Sequence, residues 1–169
     1  MRRLQFSIAS SIALIAGATY MMAAGAFAAS TVNTPDFIAK ASASNLFEIE
    51  TSQVALNVSK NTAVRSFAEQ MVTDHGKAGT KMEEALAKDH LSAPKALDAD
   101  HQAKLDHLKG QTGPAFDQEY ISLQKEAHAD AVMLFTDYSA TGDDARLKAF
   151  ATKTLPTLKM HKMHVDKLN

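Results

Sequence analysis

Three features of the sequence predict an all-α fold: four long helices in a bundle of two hairpins, with a short crossover helix between them. Aromatic residues make up only 7% of the chain and tryptophan is absent, while Ala, Leu, Lys and Glu, which lose little on entering a helix, are plentiful. Strong turn chemistry in the body of the chain is confined to three short stretches, HLSAP, GQTGP and SATGDD. Between them, apolar residues recur at three- and four-residue spacing.

Thr34-Pro35 opens the first helix as an N-cap followed by proline at the first helical position, and the pattern holds to about Ser59. Asn61 caps the second, which runs to about Asp89 and stops at HLSAP. Residues 92–110 carry Leu97, Leu105 and Leu108 on one side and form the crossover. After GQTGP the third long helix runs from Ala115 to about Ser139, and Asp143 caps the last, which continues to the C-terminus.

Residues 1–28 read as a secretory signal peptide: Arg2 and Arg3, an apolar run through Ile12 to Ala16, then small residues ending in Ala26-Phe27-Ala28. A membrane span needs roughly 20 consecutive apolar residues, and Ser7, Ser10, Ser11, Thr19 and Tyr20 interrupt this one, which favours cleavage after Ala28. Residues 29–169 then form one domain with no integral membrane span, in a periplasmic or otherwise exported location. Taking Arg2 and Arg3 from the 18 Lys and Arg leaves 16 against 19 Asp and Glu, a net charge of −3 with the signs interspersed. No basic patch calls for nucleic acid. Without cysteine, an exported chain is neither a disulfide scaffold nor a thiol enzyme.

At about 100° per residue each helix has an inward face, and polar residues on that face are the candidates for function. In the first helix Phe37, Ala41, Ser44, Glu48, Thr51, Ala55 and Val58 form an unbroken stripe, so Glu48 faces in. In the second, His75 lies near the centre of the stripe set by Phe67, Met71, Met82 and Leu86, with Asp74 at its edge. His128 shares a flanking row of the third helix with Ile121 and Phe135, a boundary position. The hexapeptide KMHKMH, residues 159–164, divides: Leu147, Ala151, Leu158 and Val165 fix the inward direction, so His161 points in and Met160 and Met163 point out. With a rise of about 1.5 Å per residue from the hairpin turns, Glu48, His75 and His128 share one level of an up-down-up-down bundle. His161 falls about a turn and a half lower.

The blocks FIAKASASNLFEIETSQVAL, AVRSFAEQMVTDHGKA, FDQEYISLQKEAHADAVMLF and LKAFATKTLPTLKMH cover nearly the whole mature chain. They resemble the bacterial domain-of-unknown-function family 4142, exported proteins assigned a ferritin-like fold. The most specific are Met-x-x-Asp-His at Met71 to His75 and Leu-Pro-x-Leu-x-x-His at Leu155 to His161. The resemblance implies a ferritin-like bundle and places Glu48, Asp74, His75, His128 and His161 on the family's recurring polar positions.

A ferritin-type di-iron centre is disfavoured by spacing, because it needs Glu-x-x-His on two helices, and Val72 and Leu158 stand three residues before His75 and His161. A single transition-metal site is less demanding, and two or three imidazoles with a carboxylate suit Zn, Cu, Ni or Fe. Against it stands a buried hydrogen-bonded pair of His75 and Glu48 completed by Asp74 or a tyrosine. His90, His101 and His107 read as solvated crossover residues. The row Leu46, Ile49 and Leu56 is covered by the crossover, or alternatively by a protein or envelope partner or a second copy. No phosphate loop, nucleophile elbow or His-Glu-x-x-His motif is present. The sequence favours a non-catalytic binding or support role in the cell envelope, with single-metal binding, redox-active for some ions, as the rival.

Overall fold

The structure, a computed structural model, describes residues 32–169; the signal-peptide segment lies outside the described residues. Five helices follow in order: α1 (Thr34–Val58), α2 (Thr62–Ala87), α3 (Ala99–Lys109), α4 (Gly113–Thr141) and α5 (Ala145–Val165), with no strand among the described residues. No helix among them is long and apolar enough to cross a membrane.

The starts of α1, α2, α3 and α5 follow from side chains that accept the first free backbone N–H groups. Asn61 caps α2 as expected, through the amides of Ala63 and Val64. Two expected caps move by one residue. Asn33, not Thr34, caps α1 by accepting from the Asp36 amide, and Asp144, not Asp143, caps α5. The displaced residues are engaged elsewhere: Thr34 Oγ1 donates to Asp143 Oδ1 at 2.6 Å and shares a 2.5 Å hydrogen bond with the Tyr138 hydroxyl. They tie the start of α1 to the α4–α5 turn. That turn is tight enough that a Cβ on Gly142 would lie 2.6 Å from the Tyr138 carbonyl oxygen.

Polar side-chain contacts between helices give their directions. Thr34 meets Tyr138, Glu48 meets His128, Thr51 meets Gln124 and Ser52 meets Tyr120, so α1 and α4 are antiparallel. Asp89 meets Arg146, Asp74 meets His161 and Gln70 meets His164, so α2 and α5 are antiparallel as well. With α1–α2 and α4–α5 forming hairpins, α4 must run parallel to α2. The up-down-up-down order expected from sequence is therefore replaced by up-down-down-up. Residues 88–112, including α3, return along the whole bundle because a parallel connection cannot be closed by a short turn.

α3 packs on α1 and α4 and buries Leu105 and Leu108. Leu56 joins the cluster it covers, and Leu46 and Ile49 are half-buried. The apolar interior falls into two clusters. One contains Phe47, Phe67, Met71, Phe116 and Tyr120; the other contains Phe37, Met82, Phe135, Tyr138, Leu147 and Leu158. Between them, α2, α4 and α5 each contribute one fully enclosed histidine.

Candidate metal centre

His75, His128 and His161 are 5%, 0% and 1% exposed, and their ring centroids form a near-equilateral triangle with sides of 5.7, 5.5 and 5.5 Å. His161 is thus level with the others, not a turn and a half lower. α5 runs unbroken through Pro156, although that proline cannot donate to the carbonyl four residues back. Side chains lean toward the N-terminus of their helix, so His128 leans away from the α4–α5 turn and His161 toward it. That closes the remaining offset. His128 is also not a boundary residue. It is enclosed because α1 and α5 both pack on α4.

Each ring uses one nitrogen to fix its orientation. His128 Nδ1 donates to the Gln124 carbonyl at 2.8 Å and lies 3.3 Å from Glu48 Oε1. His161 Nε2 donates to Asp74 Oδ2 at 3.1 Å. His75 Nδ1 donates to Asn45 Oδ1 at 3.2 Å. Asn45 can lie against α2 because Gly79 has no side chain; a Cβ there would stand 3.1 Å from Asn45 Nδ2. A proton on each of these nitrogens leaves a lone pair on the opposite one.

Those opposite nitrogens, His75 Nε2, His128 Nε2 and His161 Nδ1, are buried and have no hydrogen-bond partner. One nitrogen of each ring lies within 4.8 Å of the other two. An ion bound at about 2.0–2.1 Å to each would need the three nitrogens roughly 3.4 Å apart. Burial pushes all three imidazoles below their ordinary pKa, His128 to about 4, and mutual repulsion adds to the shift at His75. The Gln124 carbonyl and Asp74 oppose it at His128 and His161. Neutral imidazoles are the form that ligates metals.

The other two candidate residues stand behind the rings. Asp74 orients His161 from the bundle surface, with Lys77 at 3.8 Å from its other oxygen. Glu48 is fully buried and contacts His128, not His75; the expected His75–Glu48 pair does not form because α1 presents Glu48 to α4 and Asn45 to α2. Burial pushes the Glu48 carboxyl well above its ordinary value, opposed by the Gln124 side chain. Gln124 in turn donates to Thr51 Oγ1 at 3.0 Å. Apolar stripes do not single out Asn45 and Gln124. The available signal was an amide four residues before His128 and another in the middle of α1.

At the end of α5, Met160 and Met163 are 45% and 59% exposed, while His164 packs edge-on against Phe67 and bonds Gln70 Oε1 at 3.1 Å. The hexapeptide therefore divides as its spacing predicts.

A family model described as "Domain of unknown function (DUF4142)" matches residues 19–168. The chain belongs to the DUF4142 family. A solved structure similar to this DUF4142 chain is the DUF305 fragment from Deinococcus radiodurans. The TM-score is 0.68 at 14% identity, over 77% of this chain and 90% of that one. At such identity the likeness speaks for the helical fold alone. No curated protein matches the chain.

Proposed function

We propose that the protein is an exported, ferritin-like bundle that binds a single transition-metal ion through His75, His128 and His161. Two antiparallel hairpins joined by one long crossover have the connectivity of ferritin-like bundles. The observation that carries the metal reading is the set of three unpartnered lone pairs, one per ring, in the seam between two apolar clusters. A self-contained polar network would satisfy those nitrogens. Leaving each one buried and bare costs about 1–3 kcal/mol, a cost that one ion held by all three would offset.

Three imidazoles suit Zn, Cu, Ni or Fe, and leave a coordination position open for a further small ligand. Asn45, the Gln124 carbonyl and Asp74 act as orienting partners, each holding the tautomer that aims a lone pair inward. Redox activity follows if the ion is Cu or Fe.

Thermal melts with and without Zn(II) or Cu(II) test the reading. At a free ion concentration of 100 times Kd, wild type should gain about 2.7 kcal/mol, seen as a higher Tm. His75→Ala, His128→Ala and His161→Ala should each lose that gain relative to their own metal-free melts. His101→Ala, on the crossover, should keep it. An identical metal response in wild type and the three core variants would sink the proposal. Export is tested separately by the intact mass of protein from the cell envelope, expected to begin at Ala29 or within a few residues; full-length chain in the inner membrane would contradict it.

A further inference from the structure

We propose that the groove between α2 and α5 binds a small phosphate- or carboxylate-bearing anion. The groove encloses about 560 Å³, the size of a small-ligand pocket. It stays open because its floor includes Ala78 and Ala85 of α2 and Ala149 of α5, side chains too short to bridge two helices from different hairpins.

Its walls are cationic although the mature chain is acidic. Lys77 and Lys81 project from α2 at helical spacing and Lys88 from its C-cap, facing Arg146 and Lys153 of α5. Only two carboxylates, Asp74 and Glu84, line the same groove, so five positive charges face two negative ones. Arg146 is held by Asp89 at 3.0 Å and Lys77 lies near Asp74, but Lys81, Lys88 and Lys153 have no ion-pair partner among the described residues. Three ammonium groups without an ion-pair partner around one concavity give it a positive potential, and each offers a multivalent anion three donors. Phe150 and the hydroxyls of Thr154 and Thr157 complete the lining, giving an apolar wall and further hydrogen-bonding groups to a compact ligand. Concavity on this scale fits a free small anion better than a membrane surface.

The groove adjoins the histidine triangle through Asp74, which lines it and bonds His161, and its test is run on protein stripped of metal by a chelating resin and dialysed free of chelator, so that its outcome does not depend on metal. Inorganic pyrophosphate and citrate are titrated into the protein and followed by calorimetry and by amide chemical shifts. Saturable shifts confined to α2 and α5 are expected. Lys81→Glu and Lys153→Glu should each weaken binding about tenfold or more, and Lys40→Glu on α1 should leave it unchanged. Absence of saturable shifts, an equal loss in all three variants, or binding only to anionic phospholipid vesicles would overturn the proposal.

Discussion

Phe67→Ala is expected to lower stability by about 3–5 kcal/mol and to weaken metal binding, whereas Phe37→Ala costs as much stability and leaves metal binding intact. Both rings are fully buried, so each truncation removes similar apolar area and leaves a similar cavity. Their neighbours differ. Phe67 stands edge-on to His128 at 6.0 Å between ring centroids, and also to Tyr120 and His164. Phe37 stacks on Tyr138 at 3.9 Å, in the opposite apolar cluster. A cavity beside His128 frees a ring whose lone pair must be aimed; a cavity beside Tyr138 does not. Urea denaturation combined with metal titration of the folded variants separates the two effects. Equal losses of metal affinity in both variants would show that the triangle depends on the whole core and not on its own walls.

The metal-free protein should lose stability as pH falls from about 6.5 toward 4. His128 has a folded pKa of about 4 against an ordinary 6.5, and His75 and His161 are shifted in the same direction. Between those values the unfolded chain binds protons that the folded chain refuses, so acidification favours unfolding. The stabilising contribution of the neutral rings is complete above the unfolded value and is lost on the way down to the folded one. His128 alone accounts for about 3 kcal/mol. Glu48 acts in the opposite sense. Its raised folded pKa means that the native state takes up a proton before the unfolded chain does, returning part of the loss. Glu48→Gln should therefore steepen the acid decline. Chemical denaturation in EDTA between pH 7.5 and 4.5 measures both slopes, and a wild-type stability that is flat or rises on acidification would contradict the buried neutral triangle.

The existence and order of the helices, the α2 cap and the inward direction of His75 and His161 were legible because they are local properties. A helix period of 3.6 residues and an asparagine before α2 suffice to fix them. The enclosure of His128 was not legible, since it depends on which helices flank α4, and that follows from the crossover running the length of the bundle. The same topology decides that Glu48 meets His128 and leaves His75 to Asn45. Which nitrogen of each ring is free is set by partners on the same or a neighbouring helix: a backbone carbonyl, an amide and a carboxylate. Spacing of histidines alone carries no such information. One-residue errors at Asn33 and Asp144 have a simpler cause, because adjacent capping residues compete and the loser finds a tertiary bond.

The three histidines are far apart in sequence, 53 residues from His75 to His128 and 33 from there to His161. An ion shared by them is a cross-link, and it ties both hairpins together across their only long connection. By loop-closure entropy a single link spanning 53 residues restricts the unfolded chain by about 4 kcal/mol, as a disulfide of that span would. This chain has no cysteine with which to make one. Under the proposed metal reading, a staple made of imidazoles would form without an oxidant and be withdrawn by a chelator or by acid, and the bundle's resistance to unfolding would then report how much free ion surrounds it.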